Sequence, residues 1–208
     1  MELSPRTIQA LIFDVGRVIV GVNVSRAMTT LGADPGIPAE QAWAAIEADP
    51  RLREFQEGRL TPQEWYGHLA QRFGLRLSFE QFCQAWNSAL DPQLILSEEL
   101  FAGLAKHYRL VLLSNTDPIH VTYIETNFEF PRYFHGRVYS CEAGVSKPDP
   151  AIYQQALREA AVPLEAILYV DDTPACVEAG RRAGFDTLLF RGAAGLLAEL
   201  GQRGIRWQ

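Results

Sequence analysis

Four short stretches of this 208-residue chain place polar groups where chemistry could be done. "LIFDVGRVIV" (11–20) runs an apolar segment into Asp14, "LLSNTDP" ends in Ser114, Asn115 and Asp117, "SKPDP" carries Lys147, and "YVDDTP" ends in the adjacent pair Asp171 and Asp172. Two carboxylates side by side in a partly buried place repel each other and need a proton or a cation. Mg²⁺ is the natural cation, because it takes a few protein oxygens together with waters and substrate phosphate. Ser114 and Asn115 stand at a helix entrance, where polar side chains, free backbone amides and the helix dipole can bind an oxyanion. Each stretch also has a plain alternative. Asp117-Pro118 and Asp149-Pro150 are N-cap and first-position proline signals, one carboxylate of the pair could cap a helix starting at Pro174, and a lone loop lysine is usually solvated.

These groups need elements to hold them. Residues 8–20 read as a buried strand and its exit, a near-continuous apolar run of the kind found in parallel sheets. Helices then take over. Thr61 and Glu64 form a capping box with Pro62 at the first helical position, and Trp65, Leu69 and Phe73 share a face. Ser78 and Gln81 repeat the box before Phe79, Phe82, Trp86 and Leu90, and "PAEQAWAAIEA" adds Trp43 and Ile46. From about 22 to 94 no strand is expected, only amphipathic helices whose aromatic residues pack together.

After residue 97 strand and helix alternate: helix 97–107, strand "RLVLLS", a helix from 118, strand "RVYS", helix 150–160, strand "AILYVD", helix 174–183, strand "DTLLF" and a last helix. That order predicts an α/β fold, a three-layer, doubly wound, Rossmann-like sandwich with a mainly parallel sheet, carrying a small helical bundle inserted after the first strand. Residues 1–20 and 95–208 would form the core and 21–94 the insertion. Ligands of such sheets sit at the carboxyl ends of the strands, where Asp14, Ser114 and Asp171 fall.

Composition narrows the partners. A formal charge of −6 and a pI near 5.3, without any basic-aromatic patch, argue against nucleic acid. No apolar run reaches transmembrane length and the first residues lack signal-peptide regions, so no membrane association and a cytoplasmic location are expected. Cys83, Cys141 and Cys176 are odd in number and form no CxxC, as reduced thiols do. His68, His107, His120 and His135 have no metal-binding spacing and read as surface or packing residues. Nothing speaks to oligomeric state.

In their order, strand-Asp, strand-Ser-Asn-Thr, loop Lys-Pro and strand-Asp-Asp resemble the four motifs of the haloacid dehalogenase superfamily, and the helical insertion resembles its cap domain. "FDVGRVIV", "LLSNT" and "SKPDPAIY" are most similar to the subgroup that includes bacterial sugar-phosphatases. The resemblance implies a Mg²⁺-dependent phosphatase acting on a small phosphorylated metabolite such as a sugar phosphate. Asp14 would be the nucleophile, Ser114 and Lys147 would bind the phosphoryl group, and Asn115 would meet substrate. Asp14, the Gly16 carbonyl and Asp172 would hold the metal, with Asp171 beside them. Cys176 stands where the family usually has Asp or Asn, either thinning the outer shell of the metal site or packing a helix.

Gly16 occupies the position of the family's general acid/base, whose help is typically worth about 10²- to 10⁴-fold. A phosphatase without it needs a good leaving group, and an anomeric phosphate would suit. The same gap occurs in 2-haloacid dehalogenases, whose nucleophile attacks carbon, although such sites do not need a metal. A catalytically weak ligand-binding protein is the third alternative. Arg17 follows where the family usually has Gly or Asn. It could contact substrate, pair with an acidic residue such as Glu57, or do neither.

Overall fold

The computed structural model describes residues 7–32 and 38–208. Strands β1 (Ala10–Phe13), β4 (Arg109–Ser114), β5 (Gly136–Tyr139), β6 (Ile167–Asp171) and β7 (Asp186–Leu189) form one parallel sheet in the order β5-β4-β1-β6-β7. Both faces are buried, which explains the continuous apolar runs. Along β1, Leu11 and Phe13 face a core shared with Leu100 and Phe101 of α6 (Glu98–Leu104) and Leu196 of α11 (Ala193–Gln202). Ala10 and Ile12 face the opposite core, shared with Tyr153 of α9 (Pro150–Ala160) and Ala179 of α10 (Pro174–Arg182). The period of two along a strand thus divides the molecule into the expected three layers.

The segment between β1 and β4 folds as helices α1 (Val24–Thr30), α2 (Ala39–Glu47), α3 (Pro50–Gln56), α4 (Pro62–Phe73) and α5 (Phe79–Asn87). Both capping boxes form as expected, on α4 and on α5. Phe55, Trp65, Phe82 and Trp86 make a separate aromatic core, with Phe55 and Trp65 stacked at 5.3 Å.

The expectation of helices alone over 22–94 needs correction. Val20–Val22 forms β2, which pairs antiparallel with β3 (Leu90–Leu94), so a two-stranded ribbon stands where the helical segment begins and ends. Asp91, Pro92 and Gln93 disguise β3 as a loop; proline is tolerated because this ribbon has free edges. Arg26 fastens the ribbon to α1, its Nη2 donating to Leu90 O at 3.0 Å and to Asp91 Oδ1 at 2.8 Å.

Two contacts seat the helical segment over the sheet. Ser140, opening the short helix α8 (Ser140–Ala143), donates from Oγ to Gln56 O at 2.6 Å and accepts from Thr116 N at 2.9 Å. Next to it Gly58 holds φ +70°, and a Cβ there would lie 2.0 Å from Cys141 O. No helix of the described residues is long and apolar enough to cross a membrane.

Gly58→Ala meets both a left-handed backbone and a backbone carbonyl, so it should cost about 1–3 kcal/mol of stability. Urea unfolding measures this, and an unchanged midpoint would mean that the loop is free to move off Cys141.

Candidate active site at the carboxyl ends of the strands

Strands β1, β4 and β6 end at a cavity of about 430 Å³ that opens between the sheet and the helical segment. Asp14 follows β1, Ser114 closes β4, Asp171 closes β6 and Asp172 comes next. Asp14, Ser114, Asn115, Lys147, Asp172, Gly16 and Arg17 all line the cavity, so chain-distant residues picked from the sequence converge on one place. Asp171 lies behind them, fully buried.

Lys147 is not a solvated loop lysine. It is 6% exposed, and its Nζ lies 2.9 Å from Asp14 Oδ1 and 2.6 Å from Asp171 Oδ2. Burial alone would lower its pKa, but the two carboxylates hold it above the usual lysine range. Asp14 is pushed up to about 6, chiefly by burial, with Lys147 pulling down and Asp171 pushing up. Asp171 is fully engaged: Oδ2 also accepts from the Tyr169 hydroxyl, and Oδ1 accepts from Thr173 N at 2.7 Å. It therefore anchors Lys147 and does not cap α10, whose N-cap Thr173 makes no side-chain cap bond.

Asn115 has a further role: its Nδ2 donates to Lys147 O at 2.8 Å and its Oδ1 accepts from Lys147 N at 2.7 Å, so both ends of the amide brace the lysine backbone while the side chain lines the cavity. Arg17 does not pair with Glu57, which takes Arg53 at 2.9 Å and Arg59 at 2.6 Å. Arg17 itself is exposed with φ 60°, a left-handed conformation that favours Gly or Asn. His120 is more than packing. Its Nδ1 is 3.1 Å from Asp117 Oδ2 and its Nε2 is 3.2 Å from Trp86 O, while Trp86 Nε1 donates to the same Asp117 oxygen at 3.0 Å. Burial opposes both charges, yet His120 holds Asp117 below the usual carboxylate range and Asp117 holds His120 above the usual histidine range.

Sequence reading missed Tyr169 and the Trp86-Asp117-His120 cluster. Tyr169 was within reach, since residues two apart on a strand share a face with Asp171. The cluster was not, because it joins α5 to α7 (Pro118–Asn127) across the two halves of the fold.

Ligand atoms of Asp14, Asp171 and Asp172 all lie within 4.8 Å of one another. With Asp14 ionised, three carboxylates face one ammonium, and an all-oxygen donor set at that charge fits a hard divalent cation. Asp171 has spent its oxygens on Lys147, Tyr169 and Thr173, which leaves Asp14 and Asp172 as side-chain ligands. The Gly16 carbonyl accepts no backbone amide among the described residues, because the turn after β1 closes through the Val15 and Val20 carbonyls. Cys176 lines the cavity with its thiol pushed up to about 11, chiefly by burial, so it offers a neutral sulfur and not an anionic ligand.

A parallel sheet whose strand ends gather carboxylates around a buried lysine defines a doubly wound α/β enzyme. Residues 96–184 match the haloacid dehalogenase-like hydrolase family, so this part of the chain resembles that family. It is 27% identical over 196 residues to the D-ribitol-5-phosphate phosphatase of Bacteroides thetaiotaomicron, covering 86% of this chain and 90% of that one. It is 31% identical over 155 residues to flavin mononucleotide hydrolase 1 of Arabidopsis thaliana, covering 73% of this chain and 61% of that one. A HAD-family enzyme of Bacteroides thetaiotaomicron, solved with magnesium and inorganic phosphate, shares the fold at TM-score 0.78 and 22% identity, covering 89% of this chain and 96% of that one.

Asp14 should leave a thermodynamic mark in the absence of metal. Its pKa is about 6 folded against an ordinary 3.8, so between those values the folded state binds the extra proton and stability falls as pH rises. Chelator-treated wild type should therefore lose stability relative to Asp14→Asn from about pH 4 to pH 7. A difference that stays flat over that range in denaturant titrations would contradict the burial of this carboxyl.

Proposed function

We propose that the chain is a Mg²⁺-dependent hydrolase of small phosphate monoesters. The observation that carries this reading is the Asp14 carboxylate, 8% exposed and bound to Lys147 at 2.9 Å, with two further carboxylates beside it at the cavity floor. Halide displacement needs no metal, whereas a metal-phosphate site uses that extra negative charge to hold its cation. The magnesium and phosphate bound by the structural relative, and the phosphate esters named for the two curated relatives, support the same class.

In the proposed reaction an Asp14 oxygen attacks phosphorus as the ester P–O bond breaks, giving an aspartyl phosphate and releasing the alcohol. Water then cleaves that phosphate and regenerates Asp14. Lys147 keeps Asp14 ionised at neutral pH and neutralises charge on the phosphoryl oxygens, the Ser114 hydroxyl donates to them, and Asn115 keeps the lysine in place. Mg²⁺, held by Asp14, Asp172 and the Gly16 carbonyl, would supply further charge neutralisation around the phosphoryl group. Asp171 acts through Lys147 and not as a direct ligand. Residues 21–94 act as a cap over residues 7–20 and 95–208, excluding water and selecting the alcohol. A sugar phosphate, implied by the sequence resemblance, draws its support from the ribitol-phosphate relative.

His120 does not replace the acid missing at Gly16, since both of its ring nitrogens are taken. The leaving oxygen must depart unaided or with water. A Cβ at Gly16 would meet only Val22 Cγ2 at 3.5 Å, an ordinary contact, so a side chain fits there.

The test is phosphate release from a panel of esters, D-ribitol 5-phosphate, flavin mononucleotide and an anomeric sugar phosphate among them, with Mg²⁺ or chelator. Wild type should need the metal, and Asp14→Asn should lose at least about 10³-fold in kcat. Release that persists with chelator or with Asp14→Asn would sink the mechanism, and halide release from 2-haloacids in place of phosphate release would replace it. Gly16→Asp should raise kcat by about ten-fold or more on esters of ordinary alcohols and less on the anomeric ester. An equal change on both would show that the leaving group was never the difficulty.

A further inference from the structure

The cavity is far larger than a phosphate group needs, and its two sides differ in chemistry. The strand ends supply the charged floor. The helical segment and ribbon supply Val22, Val24, Met28, Trp43, Trp86 and Leu90, and among the described residues their polar contributions are only Glu47 and Gln56. On the sheet side Asp117 is already spent, which leaves Arg17 and the Thr116 hydroxyl as the polar groups above the floor. Asp117 Oδ1 accepts from Ile119 N and His120 N, and its Oδ2 from Trp86 and His120. Thr116 N donates to Ser140 Oγ.

This wall is poor in free donors and acceptors. A polyol carrying a hydroxyl on every carbon would surrender several hydrogen bonds to water and recover few against this wall, so the wall itself does not favour the sugar phosphate suggested by the ribitol-phosphate relative. An apolar ring loses nothing there and gains the burial of its faces against aromatic side chains. Trp43 is suited to this: half-buried, it lines the cavity, and its ring sits 6.3 Å from Trp86 at an interplanar angle of 47°. Trp86 is held by Asp117, so one of the two tilted rings is fixed in place.

We infer that the alcohol portion of the substrate carries a planar apolar ring, seated against Trp43 and Met28, beyond the carbon that bears the phosphate. A short polyol spacer between ring and phosphate is compatible with this, because Arg17, Gln56 and Glu47 line the same cavity. The inference rests on the phosphatase reading for turnover, but the wall's preference for a ring is a binding property of its own.

Two matched pairs test it. Phosphate release from benzyl phosphate should exceed that from glycerol 3-phosphate by about ten-fold in kcat/KM, and Trp43→Gln should lower that ratio several-fold. Calorimetry of the wild type with Mg²⁺ should show benzylphosphonate binding about ten-fold tighter than 2,3-dihydroxypropylphosphonate, a comparison that needs no variant and no turnover. Equal or reversed binding of the phosphonates overturns the ring inference. Tighter benzylphosphonate binding with no phosphate release from either ester upholds it and sinks the phosphatase reading alone.

Discussion

The ammonium of Lys147, shut between Asp14 and Asp171, is the interaction on which the site depends. An unpaired charge at that depth would be prohibitive, and so would three clustered carboxylates without a cation. Each makes the other tolerable, and the rest of the arrangement follows from the need to keep them aligned. Tyr169 and Thr173 fix Asp171, Asn115 fixes the lysine backbone, and the sheet fixes Asp14 and Asp171 as ends of adjacent parallel strands. Removing the lysine would leave the acids to neutralise by proton uptake.

A second buried charge pair does for the fold what Lys147 does for the floor. Asp117 caps α7 with one oxygen and holds Trp86 and His120 with the other. Because Trp86 belongs to α5, the same carboxylate that starts a core helix also clamps the helical segment and sets one wall of the cavity. The Thr116-Ser140-Gln56 bonds make a parallel connection a few residues away.

Most of the fold was legible in the sequence because its signals are local. Strands buried on both faces leave continuous apolar runs, and the boxes at Thr61 and Ser78 mark helix starts whatever surrounds them. The ribbon was illegible because "LDPQL" has neither alternation nor apolar character; its pairing with Val20–Val22 is imposed by position. At the site, Asp14, Ser114 and Asp172 could be picked out because strand ends in such a sheet converge, and Lys147 only through the resemblance of its loop motif. The direction in which a side chain spends its hydrogen bonds could not. Asn115 braces Lys147, Asp171 faces the lysine and Glu57 takes Arg53 and Arg59, and each choice is made by residues far away in the chain.

The ribbon formed by β2 and β3 means that the helical segment leaves the core and returns to it at neighbouring points. Closing the chain over so short a gap asks almost nothing of the sheet, and an insert of another length or shape could start and finish there without disturbing a single strand. Beyond the ribbon, the helical segment is tied to the core through the Asp117–Trp86 and Ser140–Gln56 bonds. Few bonds therefore tie the sequence of the helical segment to Asp14, Lys147 and Asp172, and most of that segment can change without touching them.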